Sequence, residues 1–148
     1  MPDTTQDKDN SVYLLYFSWL ISALAMLGSL YFSEVRHIDP CHLCWIQRIC
    51  LYPLAIILAI ATHQGFFGIA PYAFPLALGG LITSAYQVAI QEIPGWEPIN
   101  VCGAGPSCGE RISIGLGPIT IPILSLIACA ILLTLICLIW CYSRKRRE

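Results

Sequence analysis

The chain has 148 residues, of which 57% are hydrophobic and only 11% are charged, and its formal net charge is −1. An ordinary soluble domain carries about 25% charged residues, so this composition excludes a typical soluble domain and favours an integral membrane protein. Charged side chains are absent from three long stretches, residues 11–33, 49–91 and 112–143.

Four membrane-spanning helices are predicted, since one span needs about 20 apolar residues. The first and last uncharged stretches each hold one span, and the middle stretch holds two joined by the turn HQGFFG, residues 63–68. The predicted spans cover about residues 12–32, 45–62, 69–89 and 119–140. The sequence therefore predicts an all-α integral membrane protein of one domain, an antiparallel four-helix bundle with two short extracytoplasmic loops.

The charged ends predict the orientation of this bundle. The N-terminal flank MPDTTQDKDN is acidic, whereas a cleaved signal peptide starts with basic residues, so the first span is interpreted as a helix. Four basic residues, 144–147, follow the last span and favour a cytoplasmic C-terminus. An even number of spans then places the N-terminus in the cytoplasm and the loops 34–44 and 92–118 on the opposite side.

Eight cysteines divide by location into two groups of four. The first group falls in the two loops, on the side where disulfides persist. Its members are Cys41, Cys44, Cys102 and Cys108. The second group lies in predicted spans, where a free cysteine behaves as a small apolar residue, and we assign it no chemistry. Its members are Cys50, Cys129, Cys137 and Cys141.

The stretch PCHLCWIQR, residues 40–48, predicts a redox pair at the start of the second helix. Pro40 favours a helix start there, so the helix dipole and its unpaired amides stabilise a thiolate at Cys41 or Cys44. Arg48 lies one turn after Cys44 on the same face. Two interpretations of Arg48 stay open: its side chain reaches the headgroups, or it holds an anion or the carbonyl oxygen of a membrane electron acceptor, most naturally a quinone.

The second loop pair, Cys102 and Cys108, closes only a small ring, which stabilises the fold by roughly 2 kcal/mol on the entropy model. An exchangeable disulfide suits this loop, and a purely structural one remains an alternative. With His42, the loop cysteines are also possible zinc ligands, although an oxidising compartment disfavours free thiolates, and we predict no metal. Haem attachment is disfavoured because Trp45 stands where that motif requires histidine.

The pattern Cys-x-Leu-Cys-Trp-x-Gln-Arg over residues 41–48, with four spans and a second loop pair, resembles the DsbB family of quinone-linked disulfide generators, especially its short BdbC-like branch. The resemblance implies that Cys41 and Cys44 lie beside the quinone, either ubiquinone or menaquinone, and that Arg48 interacts with it. It implies that Cys102 and Cys108 meet a DsbA-like thioredoxin-fold oxidase outside the bacterial cytoplasmic membrane.

By the same resemblance, the partner reduces the Cys102–Cys108 disulfide and leaves oxidised, the loop dithiol reduces the Cys41–Cys44 disulfide, and the electrons pass to quinone. One departure is that only five residues separate Cys102 from Cys108, so which of the two forms the mixed disulfide stays open. Two alternatives remain: an enzyme like vitamin K epoxide reductase, and a non-enzymatic tetraspanning scaffold with structural disulfides or zinc.

Overall fold

The structure is a computed structural model that describes residues 4–37, 39–93 and 120–145. This part of the chain forms four α-helices, which we label α1 (Thr4–Glu34), α2 (His42–Gln64), α3 (Ala70–Glu92) and α4 (Ile121–Lys145). A single 3₁₀ turn, Phe67–Ile69, connects α2 to α3. All four helices contain segments long and apolar enough to cross a membrane. The prediction of an all-α membrane bundle is confirmed.

The four helices pack in a ring. α1 packs against α2 and α4, and α3 packs against the same two helices. Inside the ring, leucines, isoleucines and alanines form the main core, with Leu54, Leu58 and Leu132 fully buried. Many large apolar side chains are instead exposed on the outside, among them Ile56 and Ile82. An apolar exterior around an apolar core is what a bundle surrounded by lipid requires.

The turn between α2 and α3 depends on one glycine. Gly65 ends α2 with φ of 63°, the left-handed conformation that glycine adopts without steric cost. The amide of Phe66 donates to the carbonyl of Ala61 at 3.0 Å, and the amide of Gly65 donates to Thr62 at 3.4 Å. These two bonds satisfy carbonyls that the helix end leaves free, and the chain reverses direction within a few residues.

Small residues allow the helices to approach closely. Ser18, Ser22 and Ser84 are fully buried, and each donates its hydroxyl to a carbonyl of its own helix. On α3, a Cβ added at Gly80 would lie 3.0 Å from the sulfur of Cys129 on α4. The glycine therefore makes room for α4 at this crossing.

A second, smaller core cluster lies where α2 begins and α3 ends. It contains Cys41, Leu43 and Ile90, with the half-buried Cys44 and Tyr86 packed against it. The cysteine pair is therefore packed between the start of one helix and the end of the next. The segment 94–119, which carries Cys102 and Cys108, lies outside the described residues.

Candidate functional site

Cys41 is the N-cap residue of α2. Its backbone is extended, with φ of −67° and ψ of 168°, and its sulfur accepts a hydrogen bond from the amide of Cys44 at 3.4 Å. This bond satisfies one of the amides that a helix start leaves unpaired. The first turn of α2 thus brings both cysteines of the motif together and aims an N–H group at a sulfur.

The two sulfurs of this pair are in contact, and the two cysteines differ in environment. Sγ of Cys41 and Sγ of Cys44 are 2.9 Å apart, and both residues are free thiols. Cys41 is buried and Cys44 is half-buried. The hydrogen bond with Cys44, together with burial, raises the pKa of the Cys41 thiol. Cys41 therefore keeps its proton more tightly than an ordinary cysteine.

One buried glutamine contacts both sulfurs, and a second buried glutamine contacts the first. Nε2 of Gln87, on α3, is 3.3 Å from Sγ of Cys41 and 3.5 Å from Sγ of Cys44. Gln47, on α2, donates from its own Nε2 to Oε1 of Gln87 at 2.9 Å. Their exposed fractions are only 6% for Gln47 and 3% for Gln87. An amide inside a membrane bundle must be hydrogen-bonded to be tolerated, and here the bonds lead to the cysteine pair.

Arg48 lies on α2 one turn after Cys44, and its side chain reaches α1. Its Nη2 donates to the backbone carbonyl of Ser29 at 3.0 Å, and its guanidinium lies 5.5 Å from the ring centre of Trp45. Within the described residues, its buried Nε has no hydrogen-bond partner.

A cavity of about 400 Å³ connects these groups. Side chains from all four helices line it, including Leu24, Cys44, Arg48, Gln87 and Ile127. Its lining is mostly apolar with a few polar groups, and its volume suits a small organic molecule. Leu24 and Ile127 are 60% and 50% exposed, so the cavity opens between α1 and α4 on the apolar outer surface.

The remaining sequence-predicted residues fall elsewhere. Cys102 and Cys108 lie outside the described residues, so their relation to the cavity stays a prediction. His42 is exposed at the first position of α2. In the described ranges, no group of three or more His, Cys, Asp or Glu side chains is placed to hold a metal ion. The four cysteines of the predicted spans are free thiols.

Gln87 is the residue of the site that the sequence reasoning missed. Gln87 and Gln91 stand four apart near the end of an otherwise apolar span, so they share one face of α3. A polar side chain inside a span is a candidate for function, and this signal was present in the sequence. Gln47 lies in the motif of residues 41–48, but the motif alone does not indicate its contact with Gln87.

The family model that matches this chain and two of its relatives carry names that refer to disulfide formation. The family model described as "Disulfide bond formation protein DsbB" matches residues 10–140. A "Probable disulfide formation protein" of Coxiella burnetii is 49% identical over 121 residues, covering 81% of this chain and 82% of the relative. "Disulfide bond formation protein C" of Bacillus subtilis is 44% identical over 130 residues, covering 88% of this chain and 94% of the relative. No solved structure matches the chain significantly.

Proposed function

The chain belongs to the DsbB family of disulfide bond formation proteins, and on that premise we propose that it re-oxidises an extracytoplasmic thioredoxin-fold oxidase and delivers the electrons to a membrane quinone. Family membership gives the coarser statement directly: the protein is a multi-pass membrane oxidoreductase that generates disulfide bonds. One observation carries the finer proposal, namely that Cys44 of a contacting thiol pair lines an apolar cavity together with Arg48.

The residues around the cavity fit a quinone ring. The wall is mostly apolar, and Arg48, which is one of the residues that line it, offers a charged guanidinium as donor for a ring carbonyl oxygen. A bound quinone, ubiquinone or menaquinone, supplies an acceptor for two electrons and two protons. Arg48 would hold its oxygen, while the leucine and isoleucine side chains of α1 and α4 would exclude water from the ring.

Within the chain, Cys41 and Cys44 alternate between dithiol and disulfide. As a dithiol, the pair loses two electrons and two protons toward the cavity, and one S–S bond forms. Because Cys41 holds its proton tightly, we expect the thiolate at Cys44. A thiolate of the Cys102 and Cys108 dithiol then attacks the new disulfide, so that the loop pair becomes the disulfide and Cys41 and Cys44 become the dithiol again.

The loop disulfide completes the cycle with the partner protein. A reduced DsbA-like oxidase attacks the Cys102–Cys108 bond through a mixed disulfide and leaves with its own disulfide restored. For this exchange both loops lie outside the bacterial cytoplasmic membrane and both termini lie in the cytoplasm. The basic residues at the end of α4, Arg144 and Lys145 among them, support that orientation.

Thiol trapping tests the proposed function. Reduced protein in membranes is freed of reductant, mixed with a soluble quinone without oxygen, and quenched with an alkylating reagent. Trypsin releases residues 37–48, which contain Cys41 and Cys44 alone, and cleavage after glutamate releases residues 93–110, which contain Cys102 and Cys108 alone. We expect quinone to protect the first peptide from alkylation before the second.

A matched control replaces both Cys41 and Cys44 by serine. In that variant, quinone should leave the alkylation of Cys102 and Cys108 unchanged, because the loop pair has no route to the acceptor. If quinone protects neither peptide in the unaltered protein, the quinone proposal is wrong and a scaffold role for the cysteines is favoured. Addition of a reduced thioredoxin-fold oxidase then tests the partner, whose oxidation should require Cys102 and Cys108.

A further inference from the structure

The contact between Gln87 and the cysteine pair has a defined direction. Oxygen Oε1 of Gln87 accepts a hydrogen bond from Gln47 at 2.9 Å and a much longer one from Sγ of Cys44 at 3.9 Å, so the amide nitrogen of Gln87 is the end that lies nearer to both sulfurs. This nitrogen carries two hydrogens, and the sulfurs of Cys41 and Cys44 lie at similar distances from it. The short bond from Gln47 to Oε1 therefore favours the orientation in which the nitrogen of the Gln87 amide is nearest to the sulfurs.

An N–H group aimed at sulfur distinguishes the two redox states of the pair. A thiolate is a strong acceptor and a disulfide sulfur is a weak one, so the same donor stabilises the reduced, charged form more than the oxidised form. Burial strengthens this difference, because little water is present to replace the bond. The hydrogen bond that Arg48 makes does not involve the sulfurs, since its Nη2 donates to the carbonyl of Ser29.

We propose that Gln87 is a catalytic residue that stabilises the reduced Cys41–Cys44 pair through its amide nitrogen, with Gln47 as the positioning residue that holds this amide in its orientation. The two glutamines thereby raise the reduction potential of the pair. This inference rests on the proposed function only in taking Cys41 and Cys44 to be redox-active. It needs neither the quinone nor the partner protein.

The test is the equilibrium of the full-length protein with oxidised and reduced dithiothreitol. The fraction of residues 37–48 in disulfide form is read by alkylation and mass spectrometry, so all eight cysteines are kept. In Gln87→Leu, which has a similar size but no donor, we expect the pair to be about tenfold easier to oxidise. For a two-electron couple that change equals about 30 mV toward lower potential.

Two further variants separate the proposed role from a structural one. Ser84→Ala removes another buried polar group of α3 whose hydroxyl bonds within its own helix, and it should leave the equilibrium constant unchanged. Gln47→Leu should shift the constant in the same direction as Gln87→Leu, by a smaller factor. In the Gln87→Leu background, Gln47→Leu should add nothing, because Gln47 acts through Gln87.

An equilibrium constant for Gln87→Leu within twofold of the unaltered protein overturns the proposal, and so does an independent effect of Gln47→Leu in the double variant. If Gln87→Leu does not accumulate in membranes, Gln47→Leu alone decides, and an unchanged constant there is equally a refutation. Failure of the proposed function has a different signature: quinone leaves the pair reduced, while the shift against dithiothreitol is still measured.

Discussion

At the scale of single residues, the site combines two cysteines that differ in exposure and in proton affinity. Cys41 caps α2, is buried and has a raised pKa, whereas Cys44 is half-buried, and both residues line the cavity. Alkylating reagents react with thiolates, so limited treatment of the reduced protein near neutral pH should label Cys44 before Cys41. We expect a preference of about tenfold or more, since each unit of pKa changes the thiolate fraction about tenfold when the pH lies well below the pKa.

This preference is measured by fragmenting the singly labelled peptide of residues 37–48. Raising the pH should reduce it, because Cys41 loses its proton only at higher pH than an ordinary cysteine. Denatured protein is the control, and there the two cysteines should react at similar rates. Equal labelling in the folded protein would contradict the assignment of the thiolate to Cys44.

Arg48 gives a second prediction at this scale. Arg48→Leu removes the charged donor from the cavity wall, where a hydrogen bond to a charged group contributes about 1.5 to 3 kcal/mol. The KM for a soluble quinone should therefore rise about tenfold to hundredfold, while both disulfides still form. Arg48→Lys keeps the charge but lacks the branched guanidinium that reaches the Ser29 carbonyl. Its KM should therefore lie between that of the unaltered protein and that of Arg48→Leu. An unchanged KM in both variants would leave Arg48 a purely structural role.

Sequence spacing could predict the part of this site that one helix determines. Cys41, Cys44 and Arg48 lie within two turns, so the helix geometry alone places them on one side. Gln87 stands 43 residues after Cys44, and its position at the sulfurs follows from how α3 packs on α2. No local sequence pattern contains information on that packing. The motif therefore predicted the two cysteines and Arg48 but not Gln87.

At the scale of helices, the sequence predicted the four apolar segments but not all of their limits. α1 begins at Thr4, inside a polar and acidic segment where hydropathy carries no signal for a span. The turn at residues 63–68 was predictable because Gly65 is the left-handed residue that ends α2. The close crossing of α3 with its neighbours was not predictable, since glycines in a span indicate small size without naming the partner.

That crossing predicts the effect of adding one methyl group. In Gly80→Ala, the new Cβ would lie 3.0 Å from Sγ of Cys129, a fully buried atom that has little freedom to move. Overpacking of this kind costs about 1 to 3 kcal/mol, so the variant should unfold more readily in mixed micelles. Combining it with Cys129→Ala should restore part of the loss, because the opposing sulfur is then absent.

Gly28→Ala is the matched control for this variant. A Cβ at Gly28 would meet nothing within 4 Å, and alanine favours a helix over glycine by about 1 kcal/mol. The control should therefore be as stable as the unaltered protein or slightly more stable. If both alanine variants are equally stable, α3 and α4 are not closely packed at Gly80.

At the scale of the whole molecule, the proposed orientation is open to a direct test. Green fluorescent protein fused after the C-terminus should fluoresce, and alkaline phosphatase fused there should be inactive, because the basic end of α4 is expected in the cytoplasm. The same reporters fused after residue 37, between α1 and α2, should give the opposite result. Phosphatase activity at the C-terminus would place the loop cysteines in the cytoplasm and contradict the proposed cycle.

Because the cavity opens between α1 and α4, the relevant concentration of its reactant is the concentration in the membrane. Exposed side chains such as Leu24 and Ile127 surround that opening, so a molecule dissolved among acyl chains enters without crossing water. The rate at which this molecule reaches the cavity then depends on its mole fraction in the lipid bilayer, where it moves by lateral diffusion. Diluting the membranes with extra lipid should slow the reaction even when the amount of reactant per litre is constant, whereas diluting them with buffer should not.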